Sequence, residues 1–168
     1  MPKQTMQIHK IDAEWASSQS PATVGEMTAD LHGALVQAFP EGFSWTEQTI
    51  QTSLHNRFHQ FFYMRDQATS EIVAVAHFQL IFDEAELFNI GVVPSHQRRG
   101  LAKQVLQYVL DHYHNQDVAT VTLEVRSRNQ AARKLYESLG FKQIASRPDY
   151  YPINLDDAII YQIQLNQI

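Results

Sequence analysis

The sequence feature that most constrains the fold is a change of hydrophobic period within residues 87–102. Apolar residues run from Leu87 to Val93, as in a buried strand, and a proline ends the run. From Leu101 the apolar residues follow helical spacing as far as Tyr113. The loop between these two segments carries two adjacent arginines and a glycine. This order of strand, loop and helix predicts a helix whose first backbone N–H groups open towards the loop.

The loop and the helix start have the sequence QRRGLA, and their chemistry favours an anion. Gly100 lets an anion approach the backbone without a Cβ in the way, while Arg98 and Arg99 add positive charge. The dipole of the helix favours negative charge at the same place. Neither of the common nucleotide motifs, GxxxxGK[ST] and GxGxxG, occurs in the chain. The loop therefore predicts a pyrophosphate site of another type; the alternative is an ordinary solvated helix start with surface arginines.

Length, cysteine content and charge narrow the class of protein. The 168 residues suit a single domain, residues 1–168, and the absence of cysteine excludes disulfides, cysteine-based zinc sites and a thiol nucleophile. No long apolar run or secretory signal is present, so we expect a cytoplasmic protein without a membrane partner. The net charge of −5 argues against a nucleic-acid binder. We expect a monomer or a weak homodimer.

Periodicity divides the chain into alternating helices and strands. Helices are predicted over residues 23–38, from a capping box at 44–47 to about Arg57, over Leu101–His114, and after Asn129 as the cap. Short polar turns indicate an antiparallel meander before Leu101, and the helix that follows makes its two flanking strands parallel. The predicted strands lie at 3–11, 58–64, 71–81, 86–93, 119–126, 141–147 and 158–165. The fold class is α+β: a mixed, mostly antiparallel sheet of about seven strands, with a parallel pair in the middle and helices on both faces.

Glu124 is the most unusual residue of the predicted strands. In the segment VTLEVR its side chain shares a face with Thr122 and Arg126, in mid-strand and far from any turn. A carboxylate in such a place is a candidate for acid–base chemistry. The alternative is a salt bridge with Arg126 or with a neighbouring strand.

The helix after Asn129 carries a second candidate, Tyr136. Leu135 and Leu139 are predicted to anchor this helix in the core, and Gly140 is predicted to end it. Tyr136 would then turn towards the gap between the two parallel strands. The alternative is a core tyrosine with its hydroxyl at the rim.

Three segments of the chain resemble one family of enzymes. They read NIGVVPSHQRRGLA, LEVRSRNQAARKLYESLGF, and RPDYYP followed by DDAIIYQIQL. They are similar to the GNAT N-acetyltransferases, whose acetyl-CoA loop follows Q/R-x-x-G-x-G/A, and within that family to the RimI-type ribosomal-protein N-terminal acetyltransferases. The likeness covers residues 78–165 in order, and residues 38–50 more loosely. It implies the GNAT fold with a splayed parallel pair, acetyl-CoA as the co-substrate, and a protein N-terminus, typically that of a ribosomal protein, as the acceptor.

The resemblance also implies roles for individual residues. Glu124 would be the general base and Tyr136 the general acid, while Asn129 would contact the cofactor. No metal is implied. The other implied cofactor contacts lie on a bulged strand and in the loop: Ile90, Gly91, Val92, Gln97, Arg98, Arg99, Gly100, Leu101, Ala102 and Lys103.

The chemistry of acetyl transfer requires such groups independently of any resemblance. An α-amine has a pKa of about 8, so it is largely protonated at neutral pH and needs a base before it attacks. A backbone N–H freed by a bulge near residues 90–92 would stabilise the oxyanion. A tyrosine would protonate the leaving thiolate. Without cysteine, transfer is expected to be direct, within a ternary complex.

The acceptor is predicted on the resemblance alone. Tyr150 and Tyr151 would hold the first backbone units of a peptide, with Phe39, Pro40 and Glu41 on the opposite wall; the alternative is that the two tyrosines pack the loop rim. The chain departs from the RimI pattern here, because residues 41–43 are extra. Acetylation of a small amine, such as a polyamine, an aminoglycoside or an amino acid, is a second reading, and a CoA-binding regulatory module without catalysis is a third.

Two histidines have a spacing seen in metal sites. His55 and His59 lie four residues apart, but they lack the intervening glutamate of an HExxH motif and a third ligand. We therefore expect them on a polar helix face, and His96 in a solvated loop.

Overall fold

The strands of the computed structural model, which describes residues 6–166, form one seven-stranded sheet. Its order is β1-β2-β3-β4-β5-β7-β6, and β4–β5 is the parallel pair among antiparallel neighbours. The predicted mixed sheet with a parallel pair in the middle is thereby confirmed. The strands are β1 Ile8–Asp12, β2 His59–Arg65, β3 Ile72–Ile81, β4 Glu84–Val92, β5 Thr120–Arg126, β6 Lys142–Tyr151 and β7 Asp156–Gln164.

Helices cover both faces of this sheet, as predicted. They are α1 Ala13–Ser18, α2 Pro21–Ala38, α3 Glu47–Leu54, α4 Leu101–His114 and α5 Gln130–Ser138. On one face, here called the α2 face, the end of α2 packs on β4, where Gly91 leaves room for Ala38. On the other, the α4 face, Tyr113 of α4 meets the ring of Phe78 edge-on, and Tyr136 of α5 meets the ring of Tyr161.

The helix α4 has the bounds that its apolar stripe predicts. The stripe contacts the sheet, and every one of its members is buried. Burial of six large side chains holds the helix start, and therefore the loop before it, against the centre of the sheet. These side chains are Leu101, Val105, Leu106, Val109, Leu110 and Tyr113.

The parallel pair is short, and this opens the sheet. β4 pairs with β5 only over Glu84–Leu87 and Thr120–Leu123. Immediately afterwards β4 contains a bulge, because Phe78 faces Leu87 and His77 faces Asn89, which leaves Phe88 as the extra residue. The bulge predicted near residues 90–92 therefore lies two residues earlier. Its extra side chain, Phe88, is accommodated among the rings of Trp45 and His77.

Several predicted boundaries need correction. Thr46, not Ser44, caps α3, and a turn around Asn56 ends that helix before Arg57. β1 begins at Ile8, while positions 3–5 of the predicted first strand lie outside the described residues. β6 continues past Arg147 to Tyr151, because its hairpin with β7 resumes after an irregularity in register.

A search for membrane-spanning helices in residues 6–166 finds none with the necessary length and apolar character.

Candidate active site

A cleft of about 410 Å³ lies where β4 and β5 part. Each of the two strands contributes the residues that follow its last paired position, because the backbones are no longer held together there. Side chains of α5, the end of α2 and the end of β6 complete the walls. The lining includes Phe39, Glu41, Phe88, Asn89, Ile90, Gly91, Val92, Ala102, Glu124, Arg126, Asn129, Ala132, Leu135, Tyr136 and Tyr151.

The backbone of β4 offers hydrogen-bonding groups to this cleft. The N–H of Val93 donates to Val73 of β3, so strand alternation turns the polar groups of Ile90 and Val92 the opposite way, towards the gap. The side chain of Gln97 marks this direction, because its Nε2 donates to the Val92 carbonyl oxygen at 3.0 Å. The Ile90 N–H and C=O and the Val92 N–H therefore face the splayed gap.

Gly91 has a packing role in the same strand. A Cβ at this position would lie 2.6 Å from the Cβ of Ala38, at the end of α2. Such a contact is far below van der Waals distance, so the helix could not approach as closely over any other residue. Gly91 thus determines how closely residues 39–41, which follow the end of α2, approach β4 at the cleft.

The start of α4 differs from the starts of the other α-helices within residues 6–166. Those four helices have side-chain caps, from Asp12, Ser20, Thr46 and Asn129, whereas α4 begins at Gly100 without one. The first intrahelical bond of α4 is donated by Gln104, so the three N–H groups before it have no acceptor within the helix. Arg98 and Gly100 both have positive φ, 59° and 76°, which curls the exposed loop around Arg99.

The predicted cofactor residues thus fall into two adjoining groups. Residues 90–92 line the cleft, and Gln97 to Gly100 form the exposed loop next to it. Ala102 lines the cleft from the first turn of α4. Leu101 is different, because its side chain is buried in the core and only its backbone faces the loop.

Glu124 projects from β5 on the α2 face, with its side chain 26% exposed. Its Oε1 lies 3.2 Å from Nη1 of Arg147 on β6. The alternative predicted from the sequence, a salt bridge, is therefore present, but its partner is neither Arg126 nor a residue of an adjacent strand, because β7 lies between β5 and β6. Arg126 instead stacks on Tyr151, with Cζ 4.0 Å from the ring centroid. The ion pair fixes the direction of the Glu124 carboxylate.

A second depression, here called the trough, lies on the other side of Glu124. It is lined by Gln79, Glu86, Thr122, Glu124 and Arg147 and encloses about 360 Å³. Burial, and then the charge of Glu124, raise the pKa of the Glu86 carboxyl. Glu124 lines both depressions and so forms part of the wall between the cleft and the trough. The sequence analysis missed Glu86, although its parallel register with Thr122 places it on the Glu124 face.

Tyr136 is the buried anchor of α5, contrary to the prediction for Leu135 and Leu139. Its side chain is 4% exposed and packs on Phe141 and Tyr161, whereas the two leucines are only partly buried. The apolar face of α5 is thus turned by one residue, which puts both Leu135 and Tyr136 on the cleft. Burial raises the pKa of Tyr136 to about 12, so its hydroxyl keeps its proton at neutral pH.

Asn129 occupies the position predicted for it. Its Oδ1 accepts from the N–H of Ala132 at 3.1 Å and caps α5, which confirms the predicted cap. It also lines the cleft. The capping bond uses the amide oxygen and leaves the donor end of the side chain available.

The predicted substrate residues surround the mouth of the cleft unequally. Phe39, Glu41 and Tyr151 line it, whereas Tyr150 stands beside Tyr151 with half of its side chain exposed. Pro40 lines an outer groove of about 740 Å³, which continues from the cleft between the 38–42 segment and residues 153–154. Of the extra residues at 41–43, the last, Phe43, stacks on the ring of Phe39 at 5.5 Å.

The histidine predictions are wrong in part. His55 caps the end of α3 and His59 is the first residue of β2, buried and hydrogen-bonded to His77, so no shared helix face exists. His96 is not merely solvated, because its Nε2 lies 3.0 Å from Asp66. Within residues 6–166 no group of three or more potential ligands could hold a metal ion.

Comparison with known proteins shows what this arrangement is similar to. The model of the acetyltransferase (GNAT) family matches residues 27–141. The [ribosomal protein bS18]-alanine N-acetyltransferase of Escherichia coli K12 is 38% identical over 144 residues, which cover 83% of this chain and 94% of that protein. The chain belongs to the GNAT acetyltransferase family. It is accordingly an acetyl-CoA-dependent N-acetyltransferase.

Further GNAT proteins agree with this membership. The RimI N-alpha-acetyltransferase of Mycobacterium tuberculosis is 40% identical over 75 residues, which cover 45% of this chain and 46% of that protein. The crystal structure of the E. coli ribosomal-protein-S18-alanine N-acetyltransferase superposes with a TM-score of 0.76 at 31% identity, covering 95% of this chain and 94% of that one. A Vibrio cholerae spermidine/spermine N-acetyltransferase has a TM-score of 0.72 at 18% identity over 96% of each chain, which shows the fold alone.

Proposed function

We propose that this GNAT enzyme acetylates the N-terminal α-amino group of a protein, with acetyl-CoA in the splayed cleft and its pyrophosphate at the loop before α4. The observation that carries the proposal is the junction of two sets of unpaired backbone groups. One set is the uncapped start of α4, and the other is the stretch of β4 at residues 90–92. The first suits a diphosphate, and the second suits an extended amide-containing chain.

The residues present fit this cofactor. Arg98, Arg99 and Lys103 would supply positive charge around the N–H groups of α4. The amide end of Asn129, free on the cleft side of its cap, would donate to the chain that leads to the thioester. Acetyl-CoA supplies the activated acetyl group. A metal is not needed in this scheme, because neither proton removal nor thiolate departure calls for one.

The proton steps fall to two side chains. Glu124 takes a proton from the ammonium group of the acceptor, on the cleft side, and the free amine attacks the thioester carbonyl. The outward N–H of Ile90 or Val92 is placed to stabilise the oxyanion that forms. The Tyr136 hydroxyl donates a hydrogen bond to the departing sulfur while the C–S bond breaks. The second proton of the attacking nitrogen goes to that sulfur, so CoA leaves as the thiol and the tyrosine stays neutral. Glu124 then returns its proton to water through the trough.

A protein N-terminus is favoured over a small amine by the shape of the entrance. The cleft continues into the outer groove of about 740 Å³ between the 38–42 segment and residues 153–154, which a peptide would use and a small amine would not need. Arg126 lines both the cleft and the groove, and it stacks on Tyr151 of the cleft. The E. coli relative, 38% identical, acts on the alanine of bS18, so we propose a ribosomal protein with an N-terminal alanine as the acceptor. Such a substrate places the reaction in the cytoplasm.

The test is acetylation of a peptide panel, read by mass spectrometry. Peptides that vary in their first four residues, with free or blocked α-amines, are incubated with the enzyme and acetyl-CoA beside spermidine, an aminoglycoside and free amino acids. We expect acetylation at the α-amine of peptides, strongest for N-terminal alanine, and a higher KM for peptide in Tyr151→Ala. Saturable acetylation of a small amine, unchanged by Tyr150→Ala and Tyr151→Ala, would contradict the proposal.

The cofactor placement has its own prediction. Arg99→Ala is expected to weaken acetyl-CoA binding by about 1 to 2 kcal/mol, roughly tenfold in Kd, because the loop is solvent-exposed and the lost contact is charge-assisted. Isothermal titration measures the change. Arg57→Ala removes an equally exposed arginine that stacks on Phe58, away from the cleft, and serves as the control. Equal weakening by both variants would remove Arg99 from the site.

A further inference from the structure

A chain of four polar side chains crosses the sheet beneath the cleft, on the α2 face. At one end Gln79 lines the trough, and at the other end Asn89 lines the cleft. Between them, Nδ1 of His59 lies 2.7 Å from Nε2 of His77. Nε2 of Gln79 lies 3.5 Å from Nε2 of His59, and Nδ2 of Asn89 lies 3.4 Å from Nδ1 of His77.

His77 is enclosed by rings on several sides. Its side chain is 0% exposed, stacks parallel on Phe61 at 4.1 Å, and meets the rings of Trp45 and Phe88 edge-on. Burial, and then the neighbouring His59, lower the pKa of His77 to about 3. The imidazole is therefore neutral, with one donor and one acceptor nitrogen. In such surroundings an unpaired polar atom is costly, so both contacts matter.

Hydrogen-bond directions along this chain are interdependent. Between the two neutral imidazoles one nitrogen donates a hydrogen bond and the other accepts it. This choice fixes the role of the remaining nitrogen on each ring, so one end amide donates through its nitrogen and the other accepts through its oxygen. Gln79 and Asn89 are both only partly buried, so the amide of either can turn over to suit the hydrogen that the two imidazoles share. In either direction both ring nitrogens of His77 are partnered, Nδ1 by the amide of Asn89 and Nε2 by Nδ1 of His59.

The same contact lies at the point where β4 leaves β5. His77 and Asn89 face each other across β3 and β4, directly after the extra residue Phe88. The pairing of β4 with β5 ends one residue before that bulge. The His77–Asn89 contact therefore ties the first residue of the splayed stretch to the middle of the sheet.

We propose that His77 is a positioning residue for acetyl-CoA, which holds the bulge at Phe88 through Asn89 and so sets the course of residues 90–92 along the cleft. The inference rests on the proposed cofactor placement. His77 itself is not part of the cleft lining, so it acts through its neighbours there, the side chains of Asn89 and Phe88, and through the backbone. The surrounding aromatic rings keep the His77 ring in one orientation. Its hydrogen bond with the Asn89 amide therefore holds that part of β4 in one position.

The test replaces the ring but keeps its stacking. His77→Phe retains the contact with Phe61 and removes both hydrogen bonds; Phe62→Leu, fully buried on the α4 face, is the matched core control. We expect His77→Phe to raise the KM for acetyl-CoA roughly 3- to 30-fold, with a smaller change in the KM for peptide. Phe62→Leu should lower Tm and leave both KM values unchanged. An unchanged KM for acetyl-CoA in a folded His77→Phe enzyme overturns the proposal.

A measurement on the unmodified enzyme covers the case in which His77→Phe does not fold. Long-range proton–nitrogen NMR spectra should show His77 neutral and in a single tautomer from pH 5 to 8, with both ring-nitrogen signals shifting when acetyl-CoA binds. A mixture of the two tautomers, or ring-nitrogen signals that do not change when acetyl-CoA binds, would overturn the inference.

Hydrogen exchange distinguishes failure of the proposed cofactor site from failure of the proposed role of His77. Acetyl-CoA should slow exchange of the amides of Ile90 and Val92 in the unmodified enzyme. Bound acetyl-CoA without that protection would refute the proposed cofactor site. Protection of these two amides, together with an unchanged KM for acetyl-CoA in His77→Phe, would refute only the role of His77.

Discussion

Glu124→Gln is expected to lower kcat at pH 7 by roughly 10²-fold or more. Gln keeps the size of the side chain and one acceptor oxygen, but it cannot take a proton from an ammonium group. With an amine pKa of about 8, roughly one tenth of the acceptor is unprotonated at pH 7 and roughly nine tenths at pH 9. The loss of kcat in Glu124→Gln should therefore be about tenfold smaller at pH 9 than at pH 7. Steady-state rates with an N-terminal peptide across this range measure it.

The control for this variant is Glu84→Gln. Glu84 lies on the same face of the sheet and lines the same trough, but it is not part of the cleft lining. Its substitution should leave kcat within about twofold. If Glu124→Gln retained full activity at pH 7, another group would have to be the base, and the wall between cleft and trough would have no role in proton transfer.

Tyr136→Phe is the second large effect, a loss of roughly 10²-fold in kcat with little change in the KM for acetyl-CoA. Phe fills the same space beside Phe141 and Tyr161, so Tm should stay within a few degrees of that of the unmodified enzyme. The pKa of Tyr136, raised to about 12 by burial, also predicts a pH profile. Its hydroxyl stays protonated up to about pH 11, so the rate should not decline through loss of this proton between pH 8 and 10.

The high pKa also limits what the phenol does. A thiol has a pKa of about 8.5, so complete transfer from Tyr136 to a free thiolate is uphill, and the hydroxyl acts mainly as a hydrogen-bond donor while the C–S bond breaks. Tyr161→Phe is the matched control, because its hydroxyl donates to Glu137 on the far side of α5. Equal kcat values for Tyr136→Phe and the unmodified enzyme would mean that the thiolate leaves unaided.

The sequence predicted correctly those parts of the fold that are determined by a local pattern, without a competing tertiary contact. The stripe of α4 is a regular helical repeat with a glycine before it, and its bounds agree to the residue. Asn129 has the side chain that a helix start needs, and it caps α5. The meander was predictable because its turns are short and polar.

The errors arose where tertiary contacts decide between local options. Ser44 and Thr46 are both competent caps, and packing of Trp45 against His77 fixes which one is used. On α5, the spacing of Leu135 and Tyr136 allows either to face inwards, and the ring of Tyr161 selects the tyrosine. The bulge at Phe88 depends on rings from other parts of the chain, so no pattern within β4 identifies it.

The site was predicted as a set of residues but not as a set of contacts. Glu124 is conspicuous as a mid-strand carboxylate, whereas its partner Arg147 is 23 positions away in the sequence and lies across an intervening strand. His77 looked like any residue of an apolar strand, because the ring enclosure and the link to Asn89 exist only after folding.

The close approach of α2 to β4 over Gly91 has a consequence for how acceptor preference changes among related enzymes. The nearest atom to a Cβ at this position would be the Cβ of Ala38, and the residues that follow, 39–41, are those proposed to border the acceptor. The Cβ of Ala38 is fixed to the helix backbone and cannot swing aside, so a methyl group added at Gly91 would displace the end of α2 and residues 39–41 with it. The width of the cleft mouth at residues 39–41 can therefore change by the size of one methyl group, while Glu124 and Tyr136 stay in place.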